Sequence, residues 1–78
     1  MNKVRPLYVI AEVIRADWNN VYFGAEPYLA AMQRLNKITD TYGEDSAKSI
    51  VSYFLVNATT WRGETARRIK TELRNMIK

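Results

Sequence analysis

Four times along this chain, apolar side chains return at intervals of three and four residues, and that spacing restricts the fold more than any other feature. Leu7, Ile10, Ala11, Ile14 and Trp18 share one face of a helix, and Tyr28, Met32, Leu35, Ile38 and Tyr42 share another. Ala47, Ile50, Val51, Phe54 and Ala58 make a third stripe; Ala66, Ile69, Leu73 and Met76 make a narrower fourth. With no strand signal between them, the expected class is all-α: a compact bundle of about four short helices over approximately 6–17, 26–41, 45–58 and 64–77, in one domain spanning 1–78.

The punctuation agrees with these limits. Pro6 and Pro27 suit a first helical turn, where a missing N–H costs nothing. Asn19-Asn20 is a break, and Val21, Tyr22 and Phe23 read as a short connector that packs inward. Gly43 supplies a left-handed stop for the second helix, and Asp45 or Ser46 can cap the third. Tyr53 and Val56 widen the third stripe, so that helix is expected to be the most buried. Thr60-Trp61-Arg62-Gly63 is the last break, before a half-wet fourth helix.

A chain of 78 residues buries only about 60% of its unfolded surface, so its stability is expected to be modest. Leu, Ile, Val and Phe still supply 19 residues, enough for a core. The absence of cysteine excludes disulfides and thiolate metal sites and points to a reducing cytoplasm. No export signal stands at the start, and the longest apolar runs, 7–11 and 28–32, are five residues, against the roughly 20 that a membrane helix needs.

Catalysis has few groups to work with. There is no histidine to act as a general base and no cysteine to act as a nucleophile. Asp40, Glu44 and Asp45 cluster around a turn, but counting from Asp40 puts Asp45 where a calcium loop needs glycine and Val51 where it needs the bidentate glutamate. Acidic residues at a helix N-terminus are the simpler reading. The three glycines stand alone at 24, 43 and 63, so no phosphate-binding loop exists. No enzyme, metal or cofactor is expected.

Charge is uneven. Residues 1–59 hold six basic and six acidic side chains, whereas the last 19 hold six basic (Arg62, Arg67, Arg68, Lys70, Arg74, Lys78) and only Glu64 and Glu72. Arg67, Lys70, Arg74 and Lys78 form a basic stripe beside the apolar one, and Arg62 in the preceding loop extends it. Glu64 and Arg68 are spaced for an i,i+4 pair. Trp18, Tyr22, Phe23 and Trp61 lie at helix ends, where core packing is the expected use, although Trp and Arg also belong to binding hot spots. Tyr8 falls opposite Ile10 and Ile14 and is a candidate for exposed contact. The candidate partner-binding set is Trp61, Arg62, Arg67, Lys70, Arg74 and Lys78.

Two stretches, Asn20-Val-Tyr-Phe-Gly-Ala-Glu-Pro-Tyr-Leu29 and Tyr42-Gly-Glu-Asp-Ser-Ala-Lys-Ser-Ile-Val-Ser-Tyr-Phe-Leu55 running on through Thr60-Trp-Arg-Gly-Glu-Thr-Ala-Arg-Arg-Ile-Lys70, resemble small α-helical proteins of tailed bacteriophages. The likeness covers roughly residues 17–75, and Thr60 to Thr65 is its most distinctive part. It implies a protein made in the cytoplasm of an infected bacterium, where short non-catalytic proteins commonly block or redirect host machinery or defence systems. A host or phage protein is then the expected partner. The basic stripe keeps nucleic acid as an alternative, and the small size keeps a structural homo-oligomer as a third.

Overall fold

The computed structural model of the protein describes residues 4–78. Helix α1 covers Leu7–Asp17, α2 Glu26–Met32, α3 Ala47–Val56 and α4 Glu64–Met76, and together they form a compact all-α bundle of four short helices. None of these helices is long and apolar enough to cross a membrane.

Each helix begins where local chemistry allows. Pro6 sits at the N-cap of α1 with an extended ψ of 145°. The next two backbone N–H groups, of Leu7 and Tyr8, have no partner within their own helix and donate instead to the carbonyls of Asn36 and Leu35, both at 2.9 Å. Pro27 occupies the first turn of α2. Of the two candidate caps for α3, the residue used is Ser46, whose hydroxyl accepts from the Ser49 N–H at 3.1 Å. Gly63 opens α4 with φ 113° and ψ 178°, a conformation open essentially to glycine alone.

The second helix is much shorter than its apolar spacing predicts, ending at Met32 instead of near 41. Its end tightens into turns in which Arg34 and Leu35 donate to carbonyls three residues back. Beyond that point the carbonyls of Leu35 and Asn36 accept from the start of α1 instead of continuing the helical ladder. The Asp40 carboxylate then accepts the N–H groups of Lys37 at 2.9 Å and Asn36 at 3.1 Å, a local alternative to helix. Burial of Leu35 and partial burial of Ile38 kept the apolar period without the helix.

The chain continues into a hairpin that the sequence reading did not anticipate. Its strands, β1 (Thr41–Tyr42) and β2 (Asp45–Ser46), pair antiparallel with Tyr42 opposite Asp45 and Thr41 opposite Ser46. Gly43, with φ 65°, makes the tight turn between them, so its left-handed conformation closes a hairpin and not a helix.

The core is one cluster drawn from all four helices: Leu7, Ile10 and Ile14 of α1, Leu29 and Met32 of α2, Val51 and Phe54 of α3, and Leu73 of α4, joined by Trp18 and Trp61. Tyr53 and Val56, expected to widen the buried face of α3, are 55% and 70% exposed, so its inward stripe is Ala47, Ile50, Val51 and Phe54. Tyr22 and Phe23 also face outward, Phe23 being 81% exposed, and the connector does not pack them inward. The two rings lean on each other instead, with centroids 4.8 Å apart. α4 keeps the narrow stripe expected of it, burying Ala66, Ile69 and Leu73.

Two stability tests follow. Gly63→Ala forces a side chain into a glycine-only conformation although nothing lies within 4 Å of the new Cβ, so the cost is backbone strain alone; urea denaturation should show a loss of about 1–3 kcal/mol. Hydrogen bonds from the backbone of Lys37 and Asn36 hold the Asp40 carboxyl below its ordinary value of 3.8, and the hydrogen bond from Arg15 holds Glu26 below its ordinary 4.5. Both groups favour the folded chain above those values, and the benefit is lost as pH falls through the lowered ones. Unfolding followed from about pH 5 to about pH 2 should show stability declining, with a shallower decline in Asp40→Asn.

Candidate binding surface

Trp61 organises the region between α3 and α4. It is 2% exposed, lies parallel to Trp18 with ring centroids 5.7 Å apart at 11°, and meets Phe54 edge-to-face with centroids 6.5 Å apart. Its indole N–H donates to the Asp17 carboxylate at 2.8 Å, which satisfies the one polar group that this ring takes into the core. Its backbone carbonyl accepts from the Lys70 ammonium at 2.7 Å, and that ammonium lies 5.9 Å from the indole centroid. Trp61 is thus removed from the set of contact side chains: its ring is inside, and its role is to fix the loop and the first turns of α4. Trp18 shares the core placement expected for it.

The remaining members of the candidate set come together on α4 and the loop before it. Arg62, Arg67, Arg74 and Lys78 are all exposed, and Lys70 is half-buried between the loop and the helix. Burial pushes the Lys70 amine below its ordinary value, and the neighbouring Arg74 and Arg62 charges push it further the same way. These three cations are therefore close enough to feel one another. The carboxylates of α4 do not relieve them. Glu72 is engaged by Arg5, whose Nη2 and Nε donate to its two oxygens at 2.7 and 3.1 Å, and the same pair raises the arginine pKa. Among the described residues the only other ion pair joins Arg15 to Glu26, so the spacing of Glu64 and Arg68 produces none.

Arg68 lies to one side of the stripe, lining a cleft of ≈380 Å³ with Arg5, Val13, Thr65, Ile69 and Glu72. Tyr8 is exposed, as its position on α1 predicts. The acidic turn is split by the hairpin: the Asp40 carboxylate is occupied by backbone donors, while Asp45 sits across from Tyr42. Among the described residues no group of three carboxylates is arranged to hold a metal ion.

The sequence reading missed a second surface. Tyr28 of α2 and Tyr53 of α3 stack with centroids 5.5 Å apart, and they line a cleft with Tyr42 and Asp45 of the hairpin. The available signal was the Tyr42-Gly43-Glu44-Asp45 sequence, in which glycine opens a two-residue turn.

No protein family, curated protein or solved structure matches the chain.

The two roles assigned to the loop are separable by mutation. Trp61→Ala removes the ring that joins α1, α3 and α4 and should cost about 3–5 kcal/mol in urea denaturation. Arg62→Ala removes only an exposed side chain and should stay within about 0.5 kcal/mol of the parent.

Proposed function

We propose that this chain is a non-catalytic binding protein whose α4 face, with Arg62, Arg67, Lys70, Arg74 and Lys78, engages an acidic surface on a host or phage protein. The observation that carries this reading is a row of cations without carboxylate partners among the described residues, mounted on a helix whose neighbouring stripe is locked into the core. Such a row is a preformed complement to negative charge, and charge complementarity of this kind raises association rate and selects partners. The resemblance to tailed-phage proteins supports a partner inside the infected bacterium and an inhibitory role toward a host process or defence system. Occupying a partner's surface in this way needs no reacting group.

The same cations also favour a second reading, phosphate binding along a nucleic acid, because offsets of three, seven and eleven residues from Arg67 keep Lys70, Arg74 and Lys78 on one side of the helix. One experiment addresses both. Tagged parent and an Arg67→Glu/Arg74→Glu double variant are used to capture partners from nuclease-treated and untreated lysate of infected bacteria. A protein retained by the parent in both lysates and lost with the double variant is the expected result. Retention that vanishes after nuclease, together with DNA affinity whose log–log salt slope approaches about −0.9 per phosphate contact, would replace protein binding with the nucleic-acid reading.

A further inference from the structure

Away from the basic face, α2, the hairpin and α3 enclose a cleft of ≈260 Å³. Ala31 and Ile50, both nearly fully buried, contribute its apolar base. Tyr28 and Tyr53 stack against each other at 5.5 Å with their planes 27° apart. Tyr42 and Asp45 are directly opposed in the antiparallel pair, so their side chains leave the hairpin on the same face, and both line the cleft. No lysine or arginine lines it, and among the described residues the Asp45 carboxylate has neither an ion-pair nor a hydrogen-bond partner.

We propose that this cleft binds a cationic side chain, the guanidinium or ammonium of an arginine or lysine presented by a partner polypeptide. Aromatic faces attract a cation through the ring quadrupole, and tyrosine is among the rings that do so. Tyr42 and the stacked pair of Tyr28 and Tyr53 beside one carboxylate combine aromatic surface with a counter-charge. The volume falls below the roughly 300–1,000 Å³ of pockets that enclose drug-sized ligands, which suits one side-chain head with its alkyl stem against Ala31 and Ile50. An anionic group would be repelled by Asp45, and a neutral one would gain nothing from its charge.

The mouth is also held in place. The Ala47 N–H donates to the Asp40 carbonyl at 2.8 Å, and Ser46 caps α3, which ties the hairpin to the helix that carries Tyr53. The site stands independently of the α4 face, since it uses none of its residues and takes the opposite charge.

The test is an NMR titration of the full chain, following the tyrosine ring signals, with acetyl-arginine methylamide and acetyl-lysine methylamide as probes. The neutral isostere acetyl-citrulline methylamide serves as control at constant ionic strength. Saturable shifts of Tyr28, Tyr42 and Tyr53 are expected with at least one cationic probe, with citrulline binding several-fold more weakly. Asp45→Asn and Tyr42→Leu, both at exposed positions, should each weaken the cation by roughly threefold or more while leaving the backbone spectrum intact. Equal binding of citrulline and arginine, indifference to Asp45→Asn, or no saturable shift into the millimolar range would overturn the proposal. Dilution-dependent shifts of the same rings without any probe would also overturn it as a site for a separate partner, by making a second copy of the chain the occupant.

Discussion

Trp61 is the point at which three helices are tied together. A chain without cysteine has no disulfide to close its fold, and here the closing contacts are the stack of Trp61 on Trp18 and the meeting of both rings with Phe54. The arrangement requires a partner for the indole N–H, because a buried donor left unsatisfied costs about 1–3 kcal/mol. Asp17, the last residue of α1, supplies it at 2.8 Å. The end of one helix thereby sets where the loop before another can run. Lys70 completes the tie from the other side, since its bond to the Trp61 carbonyl fixes the second turn of α4 against that loop. The direction in which the α4 cations project is inherited from this buried cluster.

A comparable dependence runs through the other half of the molecule. The first N–H groups of α1 are satisfied by the Leu35 and Asn36 carbonyls, which lie just past the tightened end of α2. Asp40 stabilises that turn, its carbonyl receives the Ala47 N–H, and the hairpin between them places Tyr42 and Asp45 beside Tyr28 and Tyr53. The tyrosine cleft is therefore a consequence of how α1 begins. A backbone problem at one helix end is solved by a loop, and the loop delivers side chains to a surface some thirty residues away in the chain.

These dependences explain what was legible in the sequence. The starts of all four helices were readable because Pro6, Pro27, Ser46 and Gly63 act locally, through a fixed φ, a hydroxyl acceptor or a permitted backbone angle. The end of α2 was not, because Leu35 and Ile38 pack inward from a loop at the same intervals a helix would give them. Exposure of Tyr22, Phe23, Tyr53 and Val56 was equally hidden, since periodicity identifies a face but not whether that face meets the core or the solvent. The basic stripe was legible because unpaired arginines almost never go inside. Trp61 was placed on both sides of the question by its residue type, and only the Asp17 acceptor, distant in sequence, decides it for the core. The cleft was illegible for a similar reason: its residues come from three segments whose proximity rests on a loop that the apolar spacing conceals.

The α4 face also carries a cost that bears on its use. Burial and the charges of Arg74 and Arg62 lower the Lys70 pKa, so the charged amine is disfavoured by folding. Below the lowered value the amine is charged in both states and the folded chain bears the whole penalty; as pH rises toward the ordinary 10.5 the penalty disappears. At neutral pH, then, the charged Lys70 amine opposes the fold, first through its burial and then through the charges of Arg74 and Arg62. An anionic surface docked across Arg62, Lys70 and Arg74 would offset the part of that cost that comes from the neighbouring charges. The Lys70 amine thus costs the fold some stability at neutral pH, while its bond to the Trp61 carbonyl holds the loop against α4.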